Sequence, residues 1–196
     1  MKYSTTIIEL ISGPGTGKST TAALIYAFLK MNKESTELAR EYVKKWAWEG
    51  RTISGPDEYY FVGKQIHEES QYFNKIKFVV TDKPLLMDIL YARKYASATI
   101  AKGIEESVMS YYRSTLESGH GHLRVFLNRT KPYVPEGRYE DEQTARNMDK
   151  QLLDLMKEFC MHYSIINTDI KSILSFVGDL VTLKDESLIQ LLAGPN

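Results

Sequence analysis

A chain of 196 residues suffices for one domain with a sizeable buried core, and 43% apolar against 26% charged residues is ordinary for a globular protein. Twenty-five basic residues balance twenty-five acidic ones, which excludes the global positive field of a dedicated nucleic-acid or anionic-membrane binder. The lone cysteine, Cys160, excludes an intramolecular disulfide and points to a reducing compartment. No run is long enough to span a bilayer, and the apolar stretch Ile7 to Ile11 leads into glycines and not into a cleavage site. A cytoplasmic protein with no membrane partner is expected, and no protein partner is evident.

Thr5 to Ile11 is β-branched and largely apolar and stops at Ser12-Gly13-Pro14-Gly15, which predicts a buried strand. Ala22, Ala23, Ile25, Tyr26 and Leu29 then recur at helical spacing, so a helix over 18–30 starts directly on the glycine loop. A short strand near 35–38 precedes a helical pattern over 40–48. Gly50 to Pro56 breaks the chain, and Asp57 to Phe73 reads as a helix with Asp57 as its N-cap. Lys77 to Thr81 is a second clear strand ending on Asp82, after which Pro84 opens a helix to about Tyr95. A helix over 107–116, a strand over 122–128 and a loop over 129–138, punctuated by Pro132, Pro135 and Gly137, come next. The pattern closes with a long helix over 140–161, a strand over 163–167, a helix near 170–183 and a tail without an assigned element. Strands alternating with helices predict an α/β fold, with a parallel sheet of about five strands covered on both faces and a ligand at the carboxyl ends of the strands.

Several side chains read as structural. Cys160 falls in an apolar helical pattern and is expected to be buried. Trp46 and Trp48, with Tyr42, would pack a helix on the sheet, base stacking being the alternative. Tyr59-Tyr60-Phe61 reads as core, and Gln65 faces either the cleft or solvent. His120-Gly121-His122 is a loop before a strand, since two histidines without a partner make no metal site.

The segment Ser12-Gly13-Pro14-Gly15-Thr16-Gly17-Lys18-Ser19-Thr20 matches the P-loop pattern of a glycine, four residues and Gly-Lys-Ser/Thr, except that Ser12 stands where the first glycine belongs and Gly13 follows it. Glycines let backbone N–H groups surround phosphates, and the new helix points its positive end at the same place. Lys18 would reach the β and γ phosphates of ATP, with the Ser19 hydroxyl on Mg²⁺. Asp82, at a strand end, would either hold that Mg²⁺ or accept the proton of an attacking hydroxyl, while Lys83 could touch a phosphate or be solvated. Arginines stabilise a transferring phosphoryl group best. Arg138 is the first candidate, Arg129 the second and Arg146 the third, in a lid over about 129–146 that would exclude water and so favour transfer over hydrolysis. No guanine-reading Asn-Lys-x-Asp is found, since Asn128-Arg-Thr-Lys does not fit.

Taken together, Gly-Pro-Gly-Thr-Gly-Lys-Ser-Thr, Glu37-Leu-Ala-Arg40-Glu41, Gln65, Val-Val-Thr-Asp82 and Pro135-Glu-Gly-Arg138 resemble the P-loop kinases of the ribosylnicotinamide-kinase-like group, over about residues 5–170. The chain is most similar there to the small bacteriophage kinases that phosphorylate 5-hydroxymethyluracil in DNA. The resemblance implies one P-loop kinase domain over 1–196, with Glu37, Arg40 and Glu41 binding a hydroxyl-bearing acceptor opposite the triphosphate. The same segment reads equally as a plain helix start with a Glu–Arg pair. One departure bears on the acceptor: ribosylnicotinamide kinases carry a second acid close after the strand-end aspartate, where this chain has Lys83-Pro84. A base within duplex DNA would have to be flipped out or presented single-stranded, with Lys44, Lys45 and Arg51 as a basic strip.

Overall fold

The computed structural model describes residues 3–136 and 140–193. Its elements run β1 (Thr6–Ile11), α1 (Lys18–Met31), β2 (Thr36–Ala39), α2 (Val43–Trp48), α3 (Asp57–Ser70), β3 (Phe78–Thr81), α4 (Leu86–Tyr95), α5 (Ala98–Glu117), β4 (Gly121–Leu127), α6 (Glu142–Glu158), β5 (Ser164–Ile166), α7 (Ile170–Leu180) and α8 (Glu186–Ala193). The five strands lie in the order β2-β3-β1-β4-β5, and each neighbouring pair is parallel. All carboxyl ends therefore share one edge, with β1 and its glycine loop at the centre.

Alternation along β1 decides what covers each face. Ile8 and Leu10 pack with Ile25 and Leu29 of α1 and Ile173 and Val177 of α7. Ile11, from the opposite set, joins Leu86 and Ile89 of α4, Ile104 and Val108 of α5, and Met148 and Leu152 of α6. Strands β1 and β3, apolar apart from Thr6, Glu9 and Thr81, are thus what a sheet buried on both sides requires. Glu9 interrupts β1 yet is fully buried. It accepts a hydrogen bond from Tyr112 Oη at 2.8 Å and lies 3.2 Å from Arg124 Nε. Burial alone would raise its pKa, but His122 and Arg124 outweigh this and hold it below the usual carboxylate range.

Four expectations change. The tail holds α8, whose Leu188 is buried among the α1 and α7 side chains. It is anchored by buried Asn32, whose amide donates to the Thr182 carbonyl at 3.0 Å and whose oxygen accepts from Lys184 N. Cys160 is exposed and not buried. Helix α6 stops at Glu158, Cys160 adopts φ 52°, and the Met161 N–H closes back onto the Met156 carbonyl at 2.8 Å, a left-handed ending that turns the thiol outward. Helix α2 has no buried residue, so Trp46 and Trp48 do not pack it on the sheet. Trp46 sits edge-on to Phe61 and stacked near Tyr60, while Trp48 is 67% exposed. Phe61 is core as expected, but Tyr59 and Tyr60 are about half exposed.

Candidate nucleotide and acceptor site

The loop after β1 owes its shape to three glycines. Gly15 and Gly17 adopt φ 79° and 104°, open to glycine at no steric cost, and Gly17 caps α1. Gly13 is needed for space. A Cβ there would lie 2.3 Å from the Ala145 carbonyl oxygen of α6. Ser12, at the first-glycine position, is fully buried with its hydroxyl unpartnered. That position tolerates a small side chain because the close approach has moved on by one residue.

Lys18 Nζ donates to the carbonyls of Ser12 at 2.8 Å and Gly13 at 3.1 Å, so the loop wraps its own ammonium. Burial pushes its pKa down, against the carboxylates of Glu41, Asp82 and Asp149, which hold the charge in place. Pro14, Ser19 and Thr20 join Gly15, Gly17 and Lys18 on the wall of one cavity. Thr16 is buried, and its hydroxyl donates to the Gly13 carbonyl at 3.0 Å.

Asp149 of α6, which carries no local signal in the sequence, ties the loop to the segment that follows β4. One oxygen accepts from the Gly13 N–H at 2.6 Å and the other from Arg129 Nε at 3.0 Å. The Arg129 side chain is 6% exposed, and both of its terminal nitrogens are buried without a hydrogen-bond partner. One of them lies 3.3 Å from where a Cβ on Gly15 would stand, and the Tyr133 ring covers the same spot at 2.6 Å. Buried guanidinium donors with nothing to bond are costly, and here they face a loop built for phosphate. Arg138 lies outside the described residues. Arg146 donates to Glu142 from Nε at 3.0 Å and Nη2 at 2.7 Å, an exposed i,i+4 pair on α6.

The cavity, of about 210 Å³, continues from the phosphate loop to a wall made by the segment after β2 and by α2, α3 and α4. Of the three residues expected to bind an acceptor, only Glu41 lines it. Glu37 sits mid-strand opposite Val79 and pairs with Lys30 at 3.1 Å, at the far end of α1. Arg40 is exposed. Asp82 is 5% exposed at the end of β3 but does not line the cavity; its Oδ1 accepts from the Glu41 N–H at 2.9 Å and so holds the Glu41 backbone in place.

Lys83, expected to touch a phosphate or be solvated, is 5% exposed and so not solvated, and the rest of the polar wall comes from acids without a local motif. Lys83 and Asp88 form a buried ion pair. Asp88 thus places a buried carboxylate of α4 on the cavity wall, six residues after Asp82. Its signal was a carboxylate inside the otherwise apolar run Leu85-Leu-Met-Asp-Ile-Leu90. Glu58 is 6% exposed, and burial, with Asp88 nearby, pushes its pKa up to about 7. Glu41 is likewise raised by burial, as is Asp88 against the pull of Lys83. Tyr91 donates to Glu140 at 2.7 Å across the rim. Outside the cavity, buried Gln65 bridges Glu69 at 2.8 Å and Thr81 at 3.0 Å, settling its side as inward. His120 accepts the Thr5 N–H at 3.0 Å, and His122 faces Glu9.

For Mg²⁺, the donors at hand are hard oxygens, Ser19 and the acids around Lys18. A hydroxyl and one carboxylate completed by phosphate oxygens suit that ion. Among the described residues no cluster of three or more His, Cys, Asp or Glu forms a self-sufficient cage. No helix among them is long and apolar enough to cross a membrane.

The sequence profile of the AAA_28 family, an AAA domain, matches residues 8–172. No curated protein sequence matches. Among solved structures, NadR protein in complex with NR superposes with a TM-score of 0.69 at 15% identity, covering 92% of this chain and 53% of that one. NadR in complex with NAD and AMP-PNP gives 0.64 at 15% identity, covering 92% and 51%. Thymidylate kinase from Candida albicans gives 0.55 at 18% identity, covering 91% of each chain. This chain thus spans about half the length of the NadR chains. The likeness establishes the α/β P-loop kinase fold.

Proposed function

Because the chain belongs to the AAA_28 family of AAA domains, we propose that it is an ATP-dependent kinase that moves the γ-phosphate onto a hydroxyl of a nucleobase- or nucleoside-type acceptor. One observation carries this: a single cavity has the phosphate loop on one wall and Glu41, Glu58 and Asp88 on the other. A hydrolase needs only the first wall.

Lys18, the loop N–H groups and Arg129 would hold the triphosphate oxygens, and Arg138 would join them from the lid. Ser19 would hold Mg²⁺ directly and Asp82, set back from the cavity, through water; the ion neutralises charge on the β and γ oxygens when bound. Glu41, its backbone held by Asp82, faces the acceptor and takes the hydroxyl proton. The acceptor oxygen then bonds to the γ-phosphorus as the bond to the β–γ bridging oxygen breaks, leaving ADP.

The acceptor wall carries four carboxylates, with Glu140, against Lys83 and Lys44. Such a wall disfavours an acceptor that brings its own phosphate into the cavity. The sharpest acceptor is 5-hydroxymethyluracil in bacteriophage DNA, acted on in the host cytoplasm, with the base inserted and the backbone left outside. A second reading, a ribosylnicotinamide or nucleoside kinase, is favoured by the same wall, which suits a cationic or neutral nucleoside, and by the fold shared with NadR in its complex with NR. Transfer of label from γ-labelled ATP, run in parallel on hydroxymethyluracil DNA, plain DNA, nucleosides and nicotinamide riboside with Lys18→Ala as control, decides between them. ATP hydrolysis without any labelled product would replace both by an NTP-hydrolysing switch.

A further inference from the structure

Helix α2 lies at the mouth of the cavity with one side in it and the other side bare. Val43, Lys44 and Ala47 line the cavity. On the outside Trp48 is 67% exposed, and Tyr60 of α3, stacked near Trp46, is 48% exposed. Arg40, Lys44 and Lys45 are exposed, and none is within ion-pair distance of a described carboxylate. Arg51 and Lys64 add charge beside them but are paired with Glu49 and Glu68 and lie over the Trp46 and Tyr42 rings. Cations interleaved with exposed aromatic rings, on an element with no fully buried residue, are the chemistry of a strand-binding surface: phosphates on the cationic groups, base faces on the rings.

We propose that α2 and the start of α3 form a docking surface for single-stranded nucleic acid, placed so that a strand crosses the cavity mouth. The inside of the cavity and its rim then do opposite things. Carboxylates within turn phosphate away, and the cations of Arg40 and Lys45, with Lys44 at the lip, hold it outside. Only a base, swung out of the strand, enters. Trp48 and Tyr60 stack the neighbouring bases, which compensates for the stacking that the extruded base gives up. The partner is a polynucleotide and not a free nucleoside, and in this the inference rests on the DNA reading proposed above. The chain's zero net charge fits a contact confined to one patch.

The test uses a fluorescein-labelled single-stranded oligodeoxynucleotide carrying one 5-hydroxymethyluracil, with anisotropy for binding and label transfer for turnover. Trp48→Ala is expected to weaken binding by about five-fold or more. Lys45→Ala is expected to reduce the slope of log affinity on log salt by about 0.7. Both should leave turnover of free 5-hydroxymethyluridine unchanged. Wild-type affinity and salt slope in both variants would overturn the surface. Turnover of the free nucleoside with no oligonucleotide binding by the wild type would overturn it too, while leaving the kinase reading in place. Binding that depends on Trp48 and Lys45 but yields no phosphorylated product would uphold the surface and sink the kinase reading instead.

Discussion

The two walls of the cavity are built by opposite means. The donor wall is nearly all backbone: glycines with positive φ, a helix start, one lysine wrapped by carbonyls and one arginine held by Asp149. The acceptor wall is nearly all side chain, carboxylates from four separate segments gathered around a buried lysine. Backbone geometry is written in contiguous residues and recurs wherever triphosphate is bound. Side-chain walls are assembled from distant residues and are free to vary with the acceptor.

Lys18→Ala should break the donor wall outright, lowering kcat by on the order of 10²-fold or more in any transfer or hydrolysis assay. Asp149→Ala tests whether the donor wall reaches into the lid. It frees the Gly13 N–H and unpairs Arg129, so KM for ATP should rise by about ten-fold while KM for the acceptor stays put. An equal rise in both would mean that Asp149 serves the fold as a whole. Glu58→Gln addresses the acceptor wall. With the folded pKa raised to about 7 from 4.5, the wild type keeps this proton in the folded state between those values while the unfolded chain loses it. Folding stability contributed by the group is thus present below about 4.5 and is lost as pH rises towards 7. The variant should flatten the pH dependence of acceptor KM near pH 7, shift that KM by a few-fold, and leave KM for ATP unchanged; a pH profile identical to wild type would take Glu58 off the wall. Arg146→Ala should do least. Its exposed pair with Glu142 contributes below about 0.5 kcal/mol, and no kinetic constant should move.

That difference also explains what could be read from the chain alone. The strands of the sheet, its parallel order and the phosphate loop follow from apolar runs and turn residues a few positions apart. Arg129 was recognisable from the loop it sits in, although its buried, unpartnered donors were not. Glu41 was visible only through resemblance, together with Glu37, which the fold pairs with Lys30, and Arg40, which it leaves exposed outside the cavity. Asp88 and Glu58 had no local signature beyond acids in or beside apolar runs, because their partners are supplied by chain folding and not by spacing. Cys160 and Trp48 were misplaced for a simpler reason: periodicity cannot tell where a helix ends or whether an apolar side chain finds a neighbour.

The contact between Gly13 and α6 has a consequence for modularity. Residue 13 must stay small because the Ala145 carbonyl presses on it, and Asp149 on the same helix bonds its N–H. Loop and α6 are therefore one inheritable part. A chimera that imports α6 from a relative would need to import the residue at position 13 with it. A strict glycine pattern anchored at position 12 would miss proteins that, like this one, moved the close approach along by one.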